Sequence, residues 1–423
     1  MTAPIAPGTG LRDAGLMNIL PCPPTDTLRQ QRSSIKWTRF PADVLPLFVA
    51  EMDYAVAPAI VDKLVERVRS SDIGYLDGPG ELAPAFAAFA GDRWGWNVDP
   101  ASVHLATDVS VGIVETLRLV LPRGGRVAFT PPVYPPFYEL VEEAAASVVE
   151  VPLVEVGGAW AIDLVALERE FAGGVDAFLL CNPHNPHGLV HDPATLAELA
   201  RLAARYDVFV LSDEVHAPLA HPGVTFTPFA PIADSAGGRA ATVTSASKAW
   251  NIAGAKCALI IAADAATARL LDLLPEEVAC RTSILGLHAN IVAFSCTDWL
   301  EETVERIVAN DRLLDELLRA QLPAAVYHRP SAGYLAWLDL RGLGLGASPY
   351  TRILHEARVA LNDGAAFGTG GAGFARLNLA CSPDTLREAI TRIAALVARV
   401  ATDDAGAAIL VTEGAGDAVQ RTA

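Results

Sequence analysis

The stretch Thr242-Val-Thr-Ser-Ala-Ser-Lys-Ala-Trp-Asn-Ile-Ala-Gly-Ala-Lys256 decides how the chain reads. The β-branched run 242–244 suits a strand, and the small hydroxylated residues that follow suit a tight polar loop. In that loop one amine, Lys248, stands where small side chains leave room for a ligand. A second cation, Lys256, follows a glycine and opens the apolar run 257–262. The hydroxyls of Ser245 and Ser247, the loop N–H groups and the charge of Lys256 together suit a phosphate. The combination predicts a lysine that forms a Schiff base with a phosphorylated aldehyde cofactor. An ordinary solvated loop lysine is the plain alternative.

Outward from this stretch, three further segments carry candidate chemistry. Residues 208–212 form a short apolar run that delivers Asp213 and Glu214 at its end, where open α/β sheets place their ligands. A divalent metal on these two carboxylates needs oxygen ligands that the sequence does not offer. The apolar run 177–181 leads into Asn182-Pro-His-Asn185-Pro-His-Gly188. His184, His187 and His191 beside Cys181 suggest a metal site, but two of them sit in a proline-locked loop with no supporting ligand cluster. Residues 126–130 read as a buried strand ending in Pro131-Pro-Val-Tyr134-Pro-Pro, where prolines on both sides limit the freedom of Tyr134. Strand 104–108 passes into a helix expected at 113–121, and Val109 and Ser110 at that junction suit an anion.

The lysine stretch resembles the Ser-x-x-Lys and Gly-x-Arg signature of the aspartate aminotransferase superfamily of fold type I pyridoxal phosphate (PLP) enzymes, the class I/II aminotransferases. Lys248 stands at the Schiff-base position. Lys256 replaces the usual arginine, keeping the charge but losing the planar two-pronged grip on phosphate. The loop 182–188 is similar to the family's Asn-Pro-x-Asn-Pro-x-Gly. The resemblance implies that Tyr134 stacks on the pyridine ring, Asn185 donates to the cofactor phenolate and borders the substrate, and Asp213 pairs with the ring nitrogen. It further implies that Arg376 grips the substrate carboxylate, a structural salt bridge being the alternative. Tyr75, in the turn-rich 73–80 segment, would reach the cofactor phosphate of a neighbouring subunit in a homodimer with shared sites; a turn tyrosine covering a core edge is the alternative.

Two features resemble one branch, the cystathionine β-lyases and related carbon–sulfur lyases. Val49-Ala-Glu-Met-Asp53-Tyr54 is similar to that branch's Val-Ala-Asp-Met-Asp-Phe, which puts Asp53 and Tyr54 among the substrate contacts. Three residues past Asp213, where aminotransferases carry a tyrosine, this chain has His216, as the lyases do. The implied activity is conversion of cystathionine or cysteine S-conjugates to thiol, pyruvate and ammonia. A class I/II aminotransferase and a non-catalytic PLP-binding regulator are the alternatives.

Composition bounds the rest. The chain has 423 residues, 52% hydrophobic and 19% charged, enough for two domains sharing a substantial core. A net charge of -17 argues against a nucleic-acid partner, and no apolar stretch reaches membrane-spanning length. Six dispersed cysteines without C-x-x-C spacing, and an N-terminus without an export signal, predict a cytoplasmic protein. Alternating strands and helices predict an α/β fold: a mixed, mostly parallel sheet between helices. With the resemblance, this becomes a PLP-dependent transferase-like large domain with a seven-stranded sheet at 50–295. A smaller α+β domain comprises 1–49, an N-terminal arm, and 296–402, and 403–423 is expected to be a flexible tail. The glycine-rich pieces 342–346 and 368–373 read as loops.

Overall fold

The computed structural model describes residues 20–419, with side chains as far as 402. Positions 1–19 of the expected arm and 420–423 of the expected tail lie outside the described residues.

Four apolar runs, Ala177–Cys181, Phe209–Asp213, Ala240–Thr244 and Ala258–Ala262, are strands buried at every position. Strands so apolar on both faces need cover on both sides, which is the environment of a parallel sheet between helices. The sheet has seven strands in the order Ser147–Glu150, Arg126–Phe129, Ala177–Cys181, Phe209–Asp213, Ala240–Thr244, Ala258–Ala262, Val103–Ala106. Only Ala258–Ala262 runs antiparallel to its neighbours. Cys181 lies opposite Asp213 and Asp213 opposite Val243, so three carboxyl ends finish at one level. That shared edge receives the Asn185 loop, Asp213 and the Lys248 loop.

Helices start where polar side chains satisfy their first N–H groups. Pro193–Tyr206 is bounded by Asp192, which accepts from Thr195 N at 2.9 Å, and by Asp207 in the left-handed region. Val109–Val120 begins four residues before the expected position 113, because Asp108 caps it, accepting from Val111 N at 2.9 Å. The helix Ile284–Ala293 was not expected: it is apolar nearly all round, so its period is weak. It packs so closely on the turn before Lys256 that a Cβ on Gly286 would overlap the Ala255 carbonyl.

A second, four-stranded sheet follows the long helix Thr297–Gln321, in the order Val326–Tyr327, Leu335–Asp339, Phe374–Asn378, Asn362–Asp363. Leu45–Pro46 pairs in parallel with Val359–Ala360, docking the described part of the N-terminal arm on this side. We propose the division into 50–295 and 1–49 with 296–402 on that segregation of sheets. The last helix, Pro383–Val419, continues through residues expected as a loose tail; alanines there favour helix despite the intervening glycines. Among the described residues, no helix is long and apolar enough to cross a membrane.

One buried ion pair locks the arm. Lys36 Nζ lies 2.6 Å from Asp53 Oδ1 and donates to Glu51 O at 2.9 Å, with both side chains almost wholly buried. Removing one member of such a pair leaves an uncompensated buried charge. Asp53→Asn is therefore expected to cost about 3–5 kcal/mol in chemical denaturation. The double change Lys36→Met with Asp53→Leu recovers most of it, and an unchanged midpoint for Asp53→Asn refutes the argument.

Candidate active site

The loop after Ala240–Thr244 is held from behind by aromatic packing. Trp250 is fully buried, 5.6 Å from Phe89 and 5.5 Å from Phe294 between ring centres, and its Nε1 donates to Cys296 O at 3.2 Å. Anchored there, the loop turns Lys248 into a cavity of about 180 Å3 that also receives Tyr134, Asn185, Asp213 and His216. Five residues scattered over more than a hundred positions thus face one space.

The charges inside are set by burial. Lys248 titrates at about 8, far below an ordinary lysine, because desolvation and the nearby Arg376 disfavour its cation; Asp213 opposes this. Asp213 is pushed up to about 6 by burial, against a hydrogen bond from Val215 N at 3.2 Å to its Oδ1. Its Oδ2 is left for an occupant of the cavity. His216 is held down to about 3 by burial and by Lys248, so its ring is neutral, and its Nδ1 has no protein partner.

Arg376 stands behind the Asn185 loop. It donates to Asn185 Oδ1 and to Asn362 Oδ1, each at 2.9 Å, and its guanidinium lies 5.0 Å over the Phe367 ring. Because Asn185 Oδ1 accepts from arginine, the amide nitrogen of Asn185 is the group left for the cavity. Arg376 Nε is buried without a partner, a strong donor awaiting an acceptor.

At the other end of the cavity, the first N–H groups of Val109–Val120 are free of intrahelical bonds, and Val109 and Ser110 line the wall. Lys256 reaches the same end and pairs with Asp108 at 2.7 Å. Ser247 lines it as well. Ser245 does too, but its one proton is committed: Oγ donates to Cys257 O at 2.7 Å while accepting from Ser247 N at 3.0 Å. This hydroxyl shapes the loop and has no second proton for a phosphate.

The donor set fits the phosphorylated aldehyde expected from the sequence. A helix N-terminus with a cation and a serine would take the phosphate, Tyr134 would flank the ring, and Asp213 and Asn185 would meet its polar edges. The depressed Lys248 amine would meet the aldehyde.

Two expected contacts are placed elsewhere. Asp53 is turned into its ion pair with Lys36, and Tyr54 is buried in the main core, only 1% exposed, so neither lines the cavity. Both belong to the segment that packs the arm under the small sheet, where Asp53 N donates to Ala380 O at 2.8 Å. Tyr75, expected at the phosphate of a neighbouring subunit, is 95% exposed and does not line this chain's own cavity. Among the histidines, His184 Nε2 lies 2.9 Å from Thr130 O and His191 Nε2 lies 3.2 Å from Cys181 O. Sequence reasoning missed Asp108 and Asn362. Asp108 carries an N-cap signal, an aspartate just before the helix; Asn362 carries none, because only strand pairing brings it opposite Arg376.

The class I and II aminotransferase family model matches residues 42–393. A cystathionine β-lyase of Corynebacterium glutamicum is 36% identical over 369 residues, 87% of this chain and 98% of that protein. A crystal structure from Corynebacterium diphtheriae, named as a candidate PLP-dependent β-cystathionase, superposes with a TM-score of 0.83 at 38% identity, over 89% of this chain and 98% of that one. Cystalysin from Treponema denticola, whose structure contains pyridoxal 5'-phosphate, gives a TM-score of 0.82 at 25% identity over 87% and 96% of the two chains. With matches that run through the lysine loop, the asparagine loop and both sheets, the chain belongs to the class I and II aminotransferase family and is a PLP-dependent enzyme of its carbon–sulfur lyase type.

Proposed function

We propose that the enzyme cleaves the Cβ–S bond of cystathionine or related cysteine S-conjugates by β-elimination. The observation that carries this reading is the convergence of a readily deprotonated Lys248 and a buried carboxylate, Asp213, on one cavity. Pyridoxal phosphate, when bound, supplies an aldehyde for the substrate amine and a ring that takes up the electrons released at Cα. Arg376 binds the substrate carboxylate, and Asn185 holds that guanidinium in place. Lys248 removes the Cα proton; its low pKa makes the free base available near neutrality. Asp213, ionised above about pH 6, keeps a proton on the ring nitrogen. Departure of the sulfur as thiolate leaves 2-aminoacrylate, which water converts to pyruvate and ammonia.

Elimination is favoured over transamination by two features: similarity to cystathionine β-lyases, and a neutral His216 in place of a tyrosine. The two outcomes diverge after the same proton removal, so about 1.4 kcal/mol of barrier difference shifts their ratio tenfold. We further infer a homodimer. Val61, Val65 and Val68 are exposed at helical spacing along Pro58–Arg69, and Ile73 and Tyr75 just after it are exposed as well, apolar surface that a second chain would cover.

Lys248→Ala is expected to abolish turnover and the visible absorbance of bound cofactor; a spectrum like the parent's excludes Lys248 as the attachment point. Cystathionine given to the purified enzyme should yield pyruvate without a keto-acid acceptor. Product that depends on an added acceptor transfers the assignment to transamination. Val65→Glu should convert a two-chain particle to single chains in sedimentation, and a monomeric parent refutes the dimer.

A further inference from the structure

The strand Phe374–Asn378 carries Arg376 and, two residues on and so on the same face, Asn378. Asn378 is buried, 1% exposed, and does not line the Lys248 cavity. Its side chain reaches segment 49–54, which joins this strand to the lysine loop.

Segment 49–54 belongs to no helix or strand, yet each of its carbonyls accepts from a side chain. Asn378 Nδ2 donates to Val49 O at 2.8 Å and to Glu51 O at 2.7 Å. Lys36 also donates to Glu51 O, Arg32 to the carbonyls of Met52, Asp53 and Tyr54, and Asn251 to those of Met52 and Tyr54. The remaining carbonyl, Ala50 O, accepts from Lys248 Nζ at 3.4 Å. Among these donors only Lys248 belongs to the chemistry of the cavity.

Carbonyls two residues apart on an extended chain point to one side, and the carbonyl between them points to the other. By drawing Val49 O and Glu51 O to itself, Asn378 leaves Ala50 O directed at Lys248. The arrangement is strained: Val49 has φ 60°, in the left-handed region that a β-branched residue seldom enters. Such strain persists only where the surroundings enforce it. Here Asn362 Oδ1 accepts from Val49 N at 3.2 Å, and the same oxygen accepts from Arg376. On the other flank Asn251, three residues past Lys248, accepts from Met52 N at 2.9 Å while donating to Met52 O at 3.0 Å. The segment is thus fixed both to the strand of Arg376 and to the loop of Lys248.

We propose that Asn378 is a positioning residue for the reaction: by aiming the Ala50 carbonyl at Lys248, it holds the ammonium that Lys248 becomes on taking the Cα proton. The neutral amine gains that proton, one N–H donates to Ala50 O, and a proton passed to the departing thiolate restores the neutral amine. A carbonyl that accepts from the charged form favours it, so the contact makes Lys248 a stronger base. Asp213 and Glu51 act in the same sense, burial, Arg376 and Lys256 act against it, and His216 stays neutral. The effect on turnover rests on Lys248 being the base at Cα; the contact itself does not.

The test compares the full-length parent with Asn378→Ala, which removes the aim, and Asn251→Gly, which releases the other flank and suits the left-handed backbone there. With the cofactor stripped, trace acetylation of Lys248 by acetic anhydride at a series of pH values, read by mass spectrometry, reports where the amine loses its proton. The parent should titrate at about 8. Asn378→Ala should titrate about half a unit lower, and Asn251→Gly should move the same way by less. In the loaded enzyme the acid limb of kcat should shift likewise, with kcat lowered up to about threefold, the full effect of half a unit in base strength. KM should hold, because Arg376 keeps its bonds to Asn185 and Asn362. A chain that has merely lost its fold moves Lys248 the other way, toward the ordinary lysine value of about 10.4. An unchanged or raised Lys248 titration in both variants overturns the proposal. A lowered titration in a protein that yields no pyruvate from cystathionine keeps the contact and overturns the β-elimination reading instead.

Discussion

A lysine amine and an aspartate carboxylate held in the same buried cavity set the terms for the rest of the structure. Each group is costly to bury with its charge, and the two answer in opposite senses: the amine becomes easier to deprotonate and the carboxylate harder. The parallel sheet makes this juxtaposition possible. Asp213 ends one strand, Lys248 lies four residues past the end of the next, and their register brings both to a common edge. Trp250, seated between Phe89 and Phe294, prevents the lysine loop from relaxing toward water.

Around that pair, single hydrogen bonds decide which atoms remain for a ligand. Arg376 occupies the Asn185 oxygen, which turns the asparagine into a donor toward the cavity. Asp108 caps one helix and steadies Lys256, so the replacement of the family's arginine comes with a carboxylate partner at 2.7 Å. Ser245 ties its loop to Cys257, a structural duty that leaves Ser247 as the hydroxyl nearer to phosphate chemistry.

The small sheet reaches the asparagine loop through Arg376. Leu335–Asp339 and Phe374–Asn378 are paired along their length, so Trp337 and Arg376 sit side by side. The arm is bound into the same region through Asp53 and Lys36, which is why an aspartate that resembles a substrate contact serves packing instead.

Much of this was legible from residues alone, for definite physical reasons. Buried strands need unbroken apolar runs, and helix starts need capping oxygens, so 177–181, 209–213 and the helix Pro193–Tyr206 could be read locally. The family motifs named Lys248, Asp213, Asn185, Tyr134 and Arg376, because each role demands one chemical type at one spacing. What only the tertiary structure decided are the pairings between distant residues. Asn362 meets Arg376 across a strand pair, Asp53 turns to Lys36 instead of the cavity, and Trp160 joins Trp337 from another sheet. Local sequence carries no trace of such partners, since a side chain's neighbours across a fold are set by register and packing, which exist only once the chain has closed on itself.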